Sequence, residues 1–278
     1  MLNKVPGQEK DALAVRYLHL MKLALTRGFD EAHYDVIPRN YRTVGKRLRY
    51  SAYTALQKIL RPFHLALVQT NRPTGETMMG IGALNNLHEC LNVVWTENVP
   101  GDLVETGVWR GGGVIFMRAF LAANGDERRK VWACDSFQGL PKPSDKYVAD
   151  KNDKLWQSEY LAVEVDQVKK NFAKYGLLDE RTRFLEGFFN ETLATAPISQ
   201  IAVLRLDGDM YESTIVALDS LYAKVSRGGF VIIDDYGMLP ACNQAVEDFR
   251  RDANIIEPLE IIGYVDQKPL GAFWRKKR

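Results

Sequence analysis

Two acidic clusters carry the chemistry of this chain. Asp207-Gly208-Asp209 follows the apolar run Ile201-Ala-Val-Leu-Arg-Leu206, and Asp234-Asp235 follows Gly229-Phe-Val-Ile-Ile233. Short runs that are β-branched or leucine-rich and end in a turn signal read as buried parallel strands. Open α/β sheets bind ligands outside the carboxyl ends of their strands. If the two strands are neighbours, three or four carboxylates meet at one edge and repel one another. A hard divalent cation relieves that repulsion, and oxygen donors suit Mg²⁺ or Mn²⁺. An isolated aspartate is more often a turn or cap residue, as Asp209 is before Ser213 or Asp235 before Tyr236. Two clusters on two strand ends favour the metal.

A second constellation lies upstream. Leu103-Val-Glu105-Thr-Gly107-Val-Trp109-Arg110-Gly111-Gly112-Gly113 reads as a strand, a glycine-rich turn and the start of a helix. Such a turn lets backbone approach a ligand and offers it the free N–H groups of a helix N-terminus. Trp109 stands where a dinucleotide fingerprint needs its second glycine, which argues against a pyrophosphate ligand. Asp135 ends the next strand, 28 residues after Gly107, where an acid accepts hydrogen bonds from ribose hydroxyls. Glu105 is placed to face an ammonium group. Phe188, in Leu185-Glu-Gly187-Phe188, is either a stacking partner for a purine or core. Together the pieces describe a nucleoside with an amino-acid tail and no phosphates, which is S-adenosylmethionine.

The elements that must carry these residues follow from periodicity. Residues from about 10 to 75 read as helical, with Ala12, Val15, Leu18, Met21, Leu23 and Leu25 suited to one buried face, and a second helix from about Tyr41 to Leu60. This gives an N-terminal helical extension, 1–75, that builds an acceptor pocket or an oligomer interface. From residue 76 to 278 strands and helices alternate, which calls for a mainly parallel sheet covered on both faces. Helices are expected over Met79–Val94, Gly111–Ala123, Ser158–Tyr175, Ser213–Val225 and Asn243–Arg251. Strands are expected over Leu103–Glu105, Val131–Cys134, Thr182–Leu185, Ile201–Leu206 and Gly229–Ile233. A closing antiparallel hairpin spans Leu259–Val265 and Leu270–Trp274. The stretch Gly139–Trp156 has no period and reads as a long loop, a candidate lid.

Composition narrows the classes. The 278 residues carry 37 basic and 35 acidic side chains, so no overall field points to nucleic acid. The three cysteines, Cys90, Cys134 and Cys242, form neither a disulfide framework nor a zinc spacing, and a reducing cytoplasm is the expected compartment. No apolar run reaches the length of a membrane span, and the first residues lack a signal-peptide core. Between Asp35 and Glu76 there is no acidic residue, while Arg39, Arg42, Lys46, Arg47, Arg49, Lys58, Arg61 and Arg72 are all basic. That stretch is either a solvated face or a surface for an acidic partner or membrane headgroups. His19, His33, His64 and His88 lie in the front part, with His64 and His88 candidates for an acceptor pocket. Lys142 and Lys146 read as solvated.

The chain resembles the macrocin O-methyltransferase (TylF-like) family over most of its length. The resemblance rests on Thr77-Met-Met-Gly80, Val99-Pro-Gly-Asp-Leu-Val-Glu-Thr-Gly-Val-Trp-Arg-Gly-Gly112 and Cys134-Asp-Ser-Phe-Gln-Gly-Leu-Pro141. It continues through Asn171-Phe-Ala-Lys-Tyr-Gly-Leu-Leu-Asp179, Leu204-Arg-Leu-Asp-Gly-Asp-Met-Tyr-Glu-Ser213 and Gly228-Gly-Phe-Val-Ile-Ile-Asp-Asp-Tyr236. It implies a class I methyltransferase Rossmann-like fold with a seven-stranded sheet, and Mg²⁺-dependent transfer of the S-adenosylmethionine methyl to a sugar hydroxyl of a secondary metabolite. It implies metal ligands at Asp207, Asp234 and Asp235. It implies cofactor contacts at Thr77, Met78, Glu105, Gly107, Asp135 and Ser136, with Gly187 and Phe188 near the adenine. Trp109, Arg110, Gly111 and Gly112 of the turn, Gln138 beside Ser136, and Asp207 itself are counted with them. The family commonly has tryptophan at Phe188. A homo-oligomer is expected on the same ground.

An aliphatic hydroxyl is a poor nucleophile, so a cation that lowers its pKa and a carboxylate that takes its proton are both required. Asp207 and Asp209 are the candidates for that base. Two other readings compete. Asp207-Gly-Asp209 also fits the Asp-x-Asp site of a metal-dependent glycosyltransferase, and the fold could serve as a non-catalytic binding module.

Overall fold

The computed structural model describes residues 6–28, 55, 75–265 and 268–277. The expected helix over 41–60, most of the basic stretch, His33 and His64 lie outside the described residues. The chain opens with α1 (Pro6–Thr26) and continues through α2 (Ile81–Thr96), β1 (Asp102–Thr106), α3 (Gly112–Asn124) and β2 (Val131–Asp135). Then come α4 (Val165–Lys174), β3 (Thr182–Glu186), the single turn α5 (Phe189–Thr192), β4 (Ile201–Leu206) and α6 (Tyr211–Leu221). The chain closes with β5 (Val225–Ile233), α7 (Pro240–Asp252), β6 (Glu260–Val265) and β7 (Lys268–Arg275).

The seven strands form one sheet in the order β3-β2-β1-β4-β5-β7-β6. The first five are parallel, and β7 runs antiparallel between β5 and β6. The order reverses between β1 and β4, so the ends of those two strands face a crevice at the switch point. Both acidic clusters and the glycine-rich turn emerge there, because β4 pairs with β1 on one side and β5 on the other.

Alternation along the strands fills two cores. On β5, Phe230 and Ile232 pack with α1, α2, α3 and α4 residues, while Val231 and Ile233 pack with α6 and α7 residues. Helix α3 is buried along nearly its whole length, which explains its apolar sequence Val114-Ile-Phe-Met117. Helix α1 buries Leu18, Met21 and Leu25, one face at helical spacing, in the same core as α3. Ala12 and Val15, expected on that face, are exposed, so the buried stripe begins one turn later.

Three boundaries differ from expectation by four residues or more. The helix expected from Ser158 starts at Val165. Residues 158–164 are instead held by the site, where the Trp109 indole Nε1–H donates to the Tyr160 carbonyl at 2.9 Å and Leu161 lines the cleft. The helix expected to reach Val225 ends at Leu221, because Val225 already pairs with Ile201 in the sheet. Strand β5 continues through a register shift opposite Ile201–Val203, so Gly228-Gly229 marks an irregularity inside a strand rather than its beginning. The turn α5 had no sequence signal.

Candidate active site

The glycine-rich turn and the acidic turn are built on each other. Gly107 has φ +80°, and a Cβ there would lie 1.6 Å from the Asp207 carbonyl oxygen. Only glycine permits this crossing of backbones. Its N–H donates to the Cys134 carbonyl, the Asp207 N–H to Thr106 and the Asp234 N–H to Leu206, which continues the ladder past the strand ends. Trp109, in the turn's middle, takes φ +47°, the left-handed conformation that the missing glycine would have supplied.

Asp135 holds the turn from the side. Its Oδ2 accepts from the Val108 N–H and its Oδ1 from the Phe137 N–H, both at 2.7 Å. Burial raises its pKa, and these backbone N–H groups oppose that shift. Ser136 donates to the Gly139 carbonyl at 2.6 Å and accepts from the Gln138 N–H, closing a tight loop after β2. The Gly187 N–H donates to the Asp135 carbonyl at 2.9 Å, which sets Phe188 beside the same loop.

These elements enclose a cleft of about 220 Å³. Of the expected site residues, Met78, Gly107, Trp109, Asp135, Ser136, Phe188, Asp207 and Asp209 line it. The others lie outside its lining. Thr77 accepts from the Met79 N–H at 3.0 Å and packs against Gly112, whose N–H donates to the Glu76 carbonyl. Arg110 donates to the Gly75 carbonyl and lies 4.1 Å over the Trp109 ring. Gly111 caps α3, and Gln138 is exposed. His88 sits away from the cleft, between Lys22 and the rings of Phe116 and Phe120, and burial lowers its pKa to about 4.

Glu105 faces inward rather than into the cleft. It is 1% exposed, and a Cβ on Gly113 would strike its carboxylate, so that glycine makes room for it. Its partner is Arg205, which the sequence reading passed over. Arg205 is 2% exposed near the carboxyl end of β4 and donates to Glu105, to Asp207 Oδ2 at 3.0 Å and to Asp234. Its signal was available: a single arginine inside an otherwise apolar buried run has to meet carboxylates. Burial pushes the Glu105 carboxyl up to about 7, against the pull of Arg205.

Beside the cleft, at Asp207, one carboxylate oxygen each from Asp207, Asp234 and Asp235 lie within 4.8 Å of one another. Burial, and then the neighbouring Asp234, raise the Asp207 and Asp235 pKa values well above the ordinary range. The Asp209 carboxyl is raised to about 6 by the same causes in the same order. Asp235 Oδ2 is buried with no hydrogen-bond partner among the described residues. Glu105, Asp207 and Asp234 share one guanidinium, and Asp209 and Asp235 add further carboxylates beside them, an excess of acceptor oxygens. An all-oxygen set of this kind fits a hard divalent cation.

The sheet order, the glycine-rich turn after β1 and the antiparallel β7 define a class I methyltransferase, an S-adenosylmethionine-dependent fold. A family model described as Macrocin-O-methyltransferase (TylF) matches residues 14–276, and the chain belongs to that family of O-methyltransferases. It is 50% identical over 202 residues to the 8-demethyl-8-(2,3-dimethoxy-alpha-L-rhamnosyl)-tetracenomycin-C 4'-O-methyltransferase of Streptomyces olivaceus, covering 72% of this chain and 75% of that one. It is 49% identical over 204 residues to the demethyldecarbamoylnovobiocin O-methyltransferase of Streptomyces niveus, covering 73% and 76%. Among solved structures, the O-methyltransferase NovP superposes with a TM-score of 0.79 at 41% identity, covering 95% of this chain and all of that one. Among the described residues no helix is long and apolar enough to cross a membrane.

Proposed function

We propose that the protein transfers the S-adenosylmethionine methyl group to a sugar hydroxyl of a glycosylated natural product, with a divalent cation, Mg²⁺ or Mn²⁺, held by Asp207, Asp234 and Asp235. The observation that carries the reading is the meeting of the nucleoside side and the acidic side at Asp207, which lines the cleft and belongs to the three-carboxylate cluster. The relatives support the acceptor class, since two of them are named for rhamnosyl-tetracenomycin and novobiocin precursors.

The cofactor brings an already electrophilic methyl, and the cation supplies the acidity that an aliphatic hydroxyl lacks. This chain's residues do the rest. Trp109, Met78 and Phe188 flank the nucleoside and exclude water, and Asp135 and Ser136 hold the loop that meets its ribose. Glu105 acts through Arg205, which fixes Asp207 and Asp234 from below. Asp209 projects into the cleft from a left-handed backbone (φ +59°) and accepts the acceptor's proton. A carboxyl raised to about 6 is a better base than an ordinary aspartate and is still ionised at pH 7. In-line alignment in a dry cleft supplies the remaining acceleration.

The test is incubation with labelled S-adenosylmethionine and demethyldecarbamoylnovobiocin or another glycosylated precursor with a free sugar hydroxyl. Label entering the sugar, and lost on chelation, is the expected result. Label entering an aromatic hydroxyl, or transfer indifferent to chelation, contradicts it.

A further inference from the structure

The loop over residues 139–157 does more than cover the cleft. Asp150, on a short 3-10 turn (Val148–Asp150) in its middle, is fully buried. Its Oδ1 accepts from the Tyr211 N–H and its Oδ2 from the Glu212 N–H, each at 2.8 Å. These are the first two N–H groups of α6, which have no partner within the helix. The cap residue of α6 is Met210, which has no side-chain acceptor, so the helix takes its cap from 61 residues away. Two further contacts join the same loop to the same turn. The Ser144 hydroxyl donates to Glu212 at 2.8 Å, and the Tyr147 and Tyr211 rings lie 5.3 Å apart.

Two facts give this connection a functional direction. Asp207-Gly208-Asp209 runs directly into Met210 and α6, so whatever fixes the first turn of α6 fixes the acidic turn. The other end of the loop, Gly139 to Ser144, lines the cleft. A serine or aspartate at position 210 would cap α6 locally, without burying a carboxylate from another segment. The remote cap is useful where the seating of the loop and the placement of the acid have to be linked.

We propose that Asp150 is a positioning residue for methyl transfer: it fixes the Asp207–Asp209 turn from the cleft-covering loop, so the acidic edge is set only when that loop is seated. The proposal rests on the functional reading above. It places Asp150 outside the cofactor site, since the glycine-rich turn is held by Asp135 and Gly107 instead.

The test compares wild type, Asp150→Ala and Asp150→Asn by Mg²⁺ titration, S-adenosylhomocysteine titration and amide hydrogen exchange. Asparagine keeps one acceptor oxygen for the two N–H groups. In Asp150→Ala, Mg²⁺ affinity is expected to fall about tenfold or more, and exchange at residues 209–212 to accelerate. Asp150→Asn should fall between, while nucleoside affinity and exchange at residues 107–112 stay as in wild type. Unchanged Mg²⁺ affinity and exchange in Asp150→Ala would overturn the proposal. So would parallel loss of nucleoside and Mg²⁺ binding in both variants, the mark of general destabilisation. A wild type that binds neither probe would refute the methyltransferase reading instead, and exchange at 209–212 would still decide whether Asp150 anchors the turn.

Discussion

Each residue at the centre of the site is fixed by a constraint that a single substitution exposes. Gly107→Ala places a methyl 1.6 Å from the Asp207 carbonyl oxygen, at a φ of +80°. The backbone must move at the junction of both half-sites, and such strain costs about 1–3 kcal/mol. The expected outcome is a lower melting temperature together with at least tenfold weaker S-adenosylhomocysteine binding. An unchanged titration would show that the turn does not meet the nucleoside. The carboxylates predict a pH dependence of definite sign. Asp207, Asp235 and Asp209, the last at about 6, hold protons to higher pH than ordinary aspartates. In the metal-free fold the Asp209 contribution to stability is therefore full below about pH 4 and is lost as pH rises through about 6, and those of Asp207 and Asp235 change in the same direction. Cation binding displaces those protons, so Mg²⁺ affinity rises from pH 5 to pH 8 and the Mg²⁺-induced gain in melting temperature is larger at pH 8. Calorimetry in buffers of different ionisation enthalpy would read the proton release, and a pH-independent affinity would contradict it.

At the scale of elements, β4 carries the stability of the site as well as its chemistry. Arg205 projects from the carboxyl end of that strand to neutralise parts of Glu105, Asp207 and Asp234. Breaking a buried ion network from one side costs about 3–5 kcal/mol. Arg205→Met is expected to lose that much in urea unfolding without cation, and to regain part of it when Mg²⁺ is added. A loss under about 1 kcal/mol would mean the carboxylates simply protonate. These elements also show what the sequence made legible. Both acidic strands were visible because a buried parallel strand is a short apolar run, and the Ile201–Leu206 boundaries agree. The glycine-rich turn was visible because positive φ and close approach restrict residue choice. Arg205 was readable but passed over, since its partners are distant in sequence. The late start of α4 and the extension of β5 through Gly228-Gly229 were not readable. Tertiary contacts there, Trp109 to Tyr160 and Val225 to Ile201, override the local pattern.

Over the whole molecule, the two half-sites meet because the sheet reverses order between β1 and β4. The glycine-rich turn closes one strand and the Asp207–Asp209 turn the next, and Asp234-Asp235 follows on the third. Helix α1 locks onto the same core through Leu18, Met21 and Leu25, so the front of the chain and the cleft share one framework. The proposed reaction stands on a nucleoside site and a separate cation site that meet at Asp207. The most direct measurement is calorimetric titration of wild type and Asp234→Asn, first with S-adenosylhomocysteine and then with Mg²⁺. Nucleoside binding is expected in both proteins, with or without EDTA, together with a distinct Mg²⁺ heat in wild type that Asp234→Asn loses. No nucleoside binding to wild type, or an undiminished Mg²⁺ heat in Asp234→Asn, would contradict it.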